Sequence, residues 1–354
     1  MFTNRITKYS RSTAFGVGLA AASAMALGGM VSSAAASASA FPAGLTHEWS
    51  FNTTTTSSSG YNYSPDSVTG NASYNALLAN GTTVSNGQAV LTNNNVQSGA
   101  AGLNYVSLPV AALPTTSPTV SFEEWFTGSY DYQTGTSGPV YPQNRGFDFN
   151  NDQVGVGAGS DTEISQPNQT SGLYMYQSLD SGNGNNGTGI SPSGWGSEVG
   201  VHTAYEGPGP ANYYSNDWLT QPNAAGQPIT HMIAVVVDQT ATTSAPYGTM
   251  SYYVDGYNFG SVNLTATTQW TVISPGFTNA WLGRSAFNGD GVFNGTIDEF
   301  RIYNTALSSA QVAADATAGP NAFGTVAVPE PTTILMLGLS AGGLLLLRRR
   351  SVKH

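Results

Sequence analysis

The stretch GTIDEFRIYNTALSSAQVAA, residues 295 to 314, predicts a β-strand followed closely by a short helix. Side chains alternate between two faces along TIDEFRIY, as in a strand with one buried face. Asp298 falls on the same face as Phe300, so we expect it to point inward, where a carboxylate needs donors or a metal. Glu299 and Arg301 fall on the other face, where we expect a surface ion pair.

The start of the helix is marked by side chains that satisfy backbone groups. Ser308 and Gln311 have the S-x-x-Q spacing of a capping box, and Leu307 and Val312 have the spacing of a hydrophobic staple. We therefore expect a short helix that caps one end of the domain.

Upstream of residue 295 the chain reads as short strands separated by Gly, Asn and Pro turns, with hardly a helix. This pattern predicts an all-β fold, an antiparallel β-sandwich with long loops. The main strand predictions are LTHEWSF (45–51), QAVLT (88–92), NYVSLPV (104–110), TVSFEEWFTG (119–128), HMIAVVVD (231–238), TMSYYVDG (249–256), SVNLT (261–265) and AWLG (280–283). Residues 129–227 are rich in loops, and within them GFDFN (146–150) and GLYMYQS (172–178) are predicted as strands.

The end motif G-x-I-D-E-x-R-I-Y-N-x-A-L-S and the helix behind it resemble the closing segment of laminin G-like domains. These domains belong to the concanavalin A-like lectin and glucanase superfamily, so the resemblance implies a jelly-roll β-sandwich over residues 41–316. A linker, 317–327, would follow it. The resemblance also implies a calcium ion between the first loop and the last strand, at Asp66 and Asp298. Without calcium, Asp66 would cap a turn and Asp298 would accept backbone hydrogen bonds.

The first 40 residues have the three parts of a secretory signal peptide. Arg5, Lys8 and Arg11 precede an uncharged run from Thr13 to Val31, and a small-x-small site ends at Ala40. We expect cleavage after Ala40 and export of the remainder.

The last residues, VPEPTTILMLGLSAGGLLLLRRRSVKH (328–354), predict a short transmembrane helix. The apolar run from Ile334 to Leu347 spans about 21 Å as a helix, which membrane thinning and snorkelling side chains can extend towards the hydrocarbon thickness. A basic cluster then stops the chain on the cytoplasmic side; its arginines are Arg348, Arg349 and Arg350.

This tail resembles the PEP-CTERM sorting signal, which combines a Pro-Glu-Pro motif, a short apolar helix and terminal basic residues. The motif residues are Val328, Pro329, Glu330 and Pro331. The resemblance implies an exosortase-type membrane protease as partner, cleavage near the motif, and transfer to the cell surface or extracellular polysaccharide. Two prolines keep the motif extended and outside the following helix, as a protease cleft requires.

Charge restricts the partners of the exported part. Residues 41–331 contain 3 basic and 20 acidic residues, a formal charge of −17. Such a chain repels nucleic acid and anionic lipid. Neutral glycan, or acidic glycan bridged by calcium, remains a possible binding partner. The absence of cysteine excludes disulfides and thiolate chemistry.

No catalytic residue is predicted. The glucanase strand Glu-x-Asp-x-x-Glu is absent from TIDEFRIY, and Glu123 and Glu124 are neighbours that face opposite sides of a strand. For the inward-facing Glu124 we expect half-burial and a structural hydrogen bond. DFNND (148–152) has the acidic spacing of a calcium loop but lacks its glycine and glutamate, so we expect an Asx-rich turn.

Aromatic residues in the loop-rich segment suggest carbohydrate binding, since their faces can stack on sugar rings. The candidates are Trp195, Tyr213, Tyr214 and Trp218. They could equally anchor long loops on the sandwich. The sequence therefore predicts a non-enzymatic surface protein that adheres to or organises polysaccharide, with a polysaccharide-degrading enzyme or a purely architectural coat protein as alternatives.

Overall fold

The computed structural model describes residues 41–93, 102–128, 145–151, 173–178, 185–191, 199–204, 228–286 and 292–325. These residues form two antiparallel sheets packed face to face, which confirms the predicted all-β sandwich.

The strands, in chain order, are β1 (Leu45–Trp49), β2 (Thr55–Thr56), β3 (Asn62–Ser64), β4 (Ala76–Ala79), β5 (Thr83–Ser85), β6 (Gln88–Leu91), β7 (Tyr105–Ser107), β8 (Thr119–Gly128), β9 (Arg145–Asn150), β10 (Tyr174–Ser178), β11 (Asn185–Ser191), β12 (Val199–Ala204), β13 (Thr230–Asp238), β14 (Thr249–Val254), β15 (Tyr257–Asn263), β16 (Asn279–Leu282) and β17 (Gly295–Tyr303). Helices α1 (Trp270–Ile273) and α2 (Ser309–Ala318) lie between and after the last strands. Single 3-10 turns occur at Ala72–Tyr74, Val110–Ala112 and Ser274–Gly276.

The first sheet, called sheet I, has the order β15-β14-β13-β8-β17-β6-β5, with β1 also paired to β17. The second, sheet II, has the order β12-β11-β10-β9-β16-β7-β4-β3-β2. Strands distant in sequence therefore lie side by side, and β9 contacts β16 across more than a hundred residues of chain. The predicted loop-rich segment 129–227 supplies β9 to β12, four neighbouring strands at one end of sheet II.

Aromatic rings from both sheets meet in the middle of the sandwich. Phe122 of β8 lies 5.0 Å from Phe149 of β9 and 5.4 Å from Trp270 of α1, measured between ring centroids. Phe300 of β17 packs at 5.8 Å against Phe147. All five side chains are almost fully buried, so β8 and β17 are held centrally in sheet I by contacts across the core.

A β-bulge changes the predicted faces of β17. The pairing with β8 shifts between Ile297 and Glu299, so Asp298 is the extra residue. Ile297 therefore joins Phe300 in the core, and the prediction that Asp298 shares the face of Phe300 is wrong. Asp298 instead accepts a hydrogen bond from Gln88 at 2.6 Å.

Helix α2 confirms the predicted Ser308 cap and the staple, but the Gln311 side chain bonds Asp315 and Gly324 and so does not complete the capping box. The helix also packs on the outer face of sheet I, so the prediction that it caps one end of the domain is wrong. The Ser308 side chain accepts a hydrogen bond from the amide of Gln311 at 3.2 Å, and Leu307 and Val312 are buried in one cluster. The helix ends at Ala318 and the chain then turns back across the outer face of sheet I. The described part of the predicted linker is thus folded against the domain.

Candidate functional site

The outer face of sheet II carries polar side chains that hydrogen-bond from strand to strand. Asn150 donates to Asp148 at 2.9 Å within β9, and Asn279 of β16 donates to Asn150 at 3.0 Å. The second oxygen of Asp148 accepts from the amide of Ala286 at 3.0 Å. Asp148 and Asn150 therefore lie on a strand and the prediction of an Asx-rich turn at these two residues is wrong; Asp152 lies outside the described residues.

Aromatic rings and two arginines flank this ladder. The Arg145 guanidinium lies 3.8 Å from the centre of the Tyr176 ring, and the Arg284 guanidinium lies 4.5 Å from Trp281 and 4.9 Å from Tyr105. Both arginines are only 1–2% exposed. Stacked guanidinium and aromatic planes hold each other rigid, so this face is a fixed polar and aromatic platform. We call it the sheet II face.

The outer face of sheet I is built differently, around Arg301. Its guanidinium donates to both oxygens of Glu299, at 2.8 and 3.1 Å, and lies 3.6 Å from Glu123 and 3.7 Å from Glu48. Tyr303 donates to Glu123 at 3.0 Å. Glu299 and Arg301 are completely buried, so the predicted surface ion pair is wrong: α2 and the chain after it cover the pair. We call these five residues the arginine cluster.

One cation cannot balance three carboxylates in a buried site, so part of the cluster must bind protons. Burial raises the pKa of Glu123 to about 8, and Asp315 adds to this while Arg301 and Tyr303 oppose it. Burial and a hydrogen bond with Glu48 raise the pKa of Glu299. Arg301 holds Glu299 through two hydrogen bonds but lies 3.6 Å from Glu123, so geometry assigns a negative charge to Glu299 and a proton to Glu123.

Glu124 lies on the opposite side of β8, inside the sandwich. It sits between Ile233 and Phe300 in the sheet register and is 1% exposed. Among the described residues, neither of its oxygens has a hydrogen-bond partner, so the predicted half-burial and structural hydrogen bond are wrong. Burial alone raises its pKa to about 8. Gly146 makes room for it, because a side chain there would collide with the carboxyl group.

The two predicted calcium ligands have different neighbours. Asp66 accepts hydrogen bonds from His47 at 2.8 Å, Thr69 at 2.6 Å and the amides of Glu48 and Val68 at 3.1 Å. Burial acts to raise the pKa of Asp66, but these hydrogen bonds outweigh it and the pKa is lowered.

Asp298 accepts from Gln88, and one of its oxygens has no partner among the described residues. Burial raises its pKa, partly offset by that hydrogen bond. Within the described residues, no group of three acidic, His or Cys side chains is arranged to hold a metal. Calcium takes six or more oxygens, which these two carboxylates alone do not supply, so a calcium ion joining Asp66 to Asp298 stays a prediction.

The calcium prediction has a direct test in thermal unfolding. A calcium link would make a chelator lower the melting temperature, and Asp298→Asn would abolish that difference. The hydrogen bonds at Asp66 predict instead that the chelator leaves the midpoint unchanged. They also predict that Asp66→Asn lowers the free energy of unfolding by about 1–3 kcal/mol, with or without calcium. The reason is that groups which donate to Asp66 would lose their acceptor.

The remaining predicted site residues lie outside the described residues. These are Trp195, Tyr213, Tyr214 and Trp218, the motif Val328, Pro329, Glu330 and Pro331, and the cluster Arg348, Arg349 and Arg350. Among the residues that are described, no helix is long and apolar enough to cross a membrane.

Two family models match this chain, one within the sandwich domain and one at the C-terminal motif. Residues 164–313 match the model of the concanavalin A-like lectin/glucanases superfamily, and residues 327–350 match the PEP-CTERM protein-sorting motif. The chain carries a concanavalin A-like domain and a PEP-CTERM sorting motif. The motif indicates an exported protein that passes through a membrane-anchored stage and is processed by an exosortase-type protease.

Solved structures show low similarity to the concanavalin A-like domain. The sialidase carbohydrate-binding module CBM40 of Ruminococcus gnavus, bound to α2,6-sialyllactose, is 12% identical with a TM-score of 0.40, covering 64% of this chain and 94% of the module. Domain 4 of an arabinanase from Geobacillus stearothermophilus, in complex with arabinotriose, is 19% identical with a TM-score of 0.42, covering 77% and 97%. A search of curated proteins found no sequence relative.

The concanavalin A-like match begins at residue 164, after β9. The sandwich itself begins at β1, and strands β1 to β9, which precede the match, contribute to both sheets. The sequence could not indicate the sheet II face, because Asp148, Asn279 and Tyr105 become neighbours only through the order of β9, β16 and β7.

Proposed function

We propose that this PEP-CTERM protein binds carbohydrate in extracellular polysaccharide and does not cleave it. The sorting motif supports delivery to the cell surface, and the superfamily of the domain supports a lectin-type role. Adhesion to, or organisation of, the polysaccharide is the biological consequence.

The observation that carries the proposal is the chemistry of the sheet II face. Amide, carboxylate and guanidinium groups are fixed beside tyrosine and tryptophan rings, and all of these side chains are at most 6% exposed. They therefore form a rigid buried base for a binding site, and the contacts with sugar rings must come from aromatic residues outside this base. Two of the strands that form this face, β9 and β10, come from the segment that also contains Trp195, Tyr213, Tyr214 and Trp218. We propose that these four aromatics contact the glycan and that the sheet II face supports them.

Glycan binding should weaken when the loop aromatics are removed. For Trp195→Ala and Trp218→Ala we expect a three- to tenfold loss of affinity each, about 0.7–1.4 kcal/mol, as for one lost aromatic contact. Affinity electrophoresis in gels containing purified extracellular polysaccharide measures this. The matched control is Tyr247→Ala, an exposed aromatic between β13 and β14 of sheet I that should bind like the unmodified protein. Equal mobility of all variants would reject the assignment.

Hydrolysis is the alternative activity of the same superfamily. A reducing-end assay on the bound polysaccharide separates the two, because a binding protein retards the glycan without releasing new ends. Glu123 and Glu124 point to opposite sides of β8, one into the arginine cluster and one into the core, so they cannot flank one glycosidic bond.

A further inference from the structure

The chain after α2 is a docked strap, defined here as residues 319–325. Arg301 donates to the carbonyl of Ala322 at 2.6 Å, and the amide of Asn321 donates to Glu299 at 2.5 Å. The Phe323 ring lies 4.4 Å from the Arg301 guanidinium, on the side away from the core. The arginine cluster therefore fixes the strap against β17.

Helix α2 clamps the end of the strap. The Asp315 side chain accepts a hydrogen bond from the amide of Gly324 at 2.7 Å, and the Gln311 side chain donates to the carbonyl of Gly324 at 3.0 Å. A side chain at Gly324 would collide with the backbone of Ala314, so only glycine allows this approach. The chain is thus fixed on the outer face of sheet I to within four residues of Val328, where the sorting motif begins.

The opposite end of the exported chain lies at the same place. Phe41, the first residue after the predicted signal cleavage, packs edge-on against Phe323 with ring centroids 6.0 Å apart. Both connections from the domain to its flanking segments therefore leave from the outer face of sheet I.

A short tether on one face restricts how an anchored domain can turn. The six residues from Val326 to Pro331 reach at most about 20 Å when fully extended. A domain of this length has a radius of gyration of about 19 Å, hence a diameter on the order of 50 Å. The tether is too short to pass around the domain.

We propose that the docked strap fixes the orientation of the anchored protein, with sheet I towards the membrane and the sheet II face towards the surrounding polysaccharide. This inference rests on the proposed function, because it uses the membrane-anchored stage and assigns the outward side to the proposed glycan site. The acidic domain is compatible with this arrangement, because the tether, and not attraction to anionic lipid, holds sheet I near the bilayer.

Single-cysteine labelling tests the orientation, since the chain has no cysteine of its own. Ser309→Cys places a fluorophore on α2 above sheet I, and Ser107→Cys places one on the outer side of sheet II. The two positions differ in depth by about 20 Å, from the sheet spacing plus a helix layer. The full chain is reconstituted in phosphatidylethanolamine/phosphatidylglycerol vesicles that carry a spin-labelled headgroup lipid as quencher.

We expect quenching at Ser309→Cys to exceed that at Ser107→Cys by at least about twofold, because of this depth difference. Inserting about 20 Gly/Ser residues between Val326 and Ala327 leaves the strap docked and adds a flexible tether of about 25 Å r.m.s. length, so the difference in quenching between the two labels should shrink.

Equal quenching in the chain without the insertion would overturn the orientation. Failure of the full chain to float with the vesicles would overturn it too, by removing the anchor. Loss of glycan binding alone would reject the proposed function and leave the orientation intact, so the two failures are distinguishable.

Discussion

Replacing Arg301 by methionine should lower the free energy of unfolding by roughly 3–5 kcal/mol at pH 7, the range for removing one partner of a buried ion pair. Arg301 is fully buried between the Trp125 and Phe323 rings, at 4.3 and 4.4 Å, and is the cation nearest to Glu48, Glu123 and Glu299. Methionine fills much of the volume but leaves the carboxyl groups without a counter-charge.

Urea denaturation at pH 7 measures the loss, with Arg301→Lys as the matched control. Lysine keeps the positive charge but cannot hold Glu299 through two parallel hydrogen bonds, so an intermediate loss is expected. The loss for Arg301→Met should also shrink at pH 5, where the carboxyl groups are more readily protonated. A methionine variant as stable as the unmodified protein at pH 7 would contradict the role assigned to the cluster.

Replacing Glu124 by glutamine should stabilise the domain, by about 3 kcal/mol at pH 7. The folded-state pKa of Glu124 is about 8 against an ordinary value of 4.5, so folding between these pH values takes up a proton. The favourable contribution of the protonated group is complete below pH 4.5 and is lost as the pH rises to about 8. At 1.36 kcal/mol per pKa unit, the 2.5 units up to pH 7 give the expected gain.

The measurement is urea denaturation from pH 5 to pH 9. The free energy of unfolding of the unmodified protein should fall as the pH rises. Glu124→Gln should reduce the slope of that fall by about 1.4 kcal/mol per pH unit, the value for one proton taken up on folding. Glu123, whose pKa is also raised, should continue to contribute to the pH dependence of stability in the variant. Asp238→Asn, at the partly exposed end of β13, is the control and should keep the full slope. Identical slopes for Glu124→Gln and the unmodified protein would show that this carboxyl group is already ionised in the folded state.

Local signals in the sequence were sufficient to predict most of the strands, the helix α2 and the packing of the strands as a β-sandwich. HMIAVVVD and TVSFEEWFTG, short segments bounded by turn residues, predicted two central strands of sheet I, and the Ser308 cap predicted the start of α2. Each of these features depends on residues a few positions apart, so a short stretch of sequence contains the whole cause.

Features that depend on distant partners were not predictable. The bulge at Asp298 arises from pairing with β8, which alternation within β17 cannot show. Glu299 and Arg301 have the pattern of a surface pair, and only the fold-back of residues 319–325 buries them. The same limit applies to the sheet II face, whose members come from strands far apart in the chain.

The central claim is that this acidic sandwich is exported and sorted through its C-terminal motif. The most direct test is the intact mass of the protein isolated from the cell surface. A form that begins at Phe41, retains the docked strap through Thr325 and has lost Arg348, Arg349 and Arg350 is the predicted result. A surface form that still carries those three arginines, or a chain that keeps residues 1–40 and remains inside the cell, would contradict it.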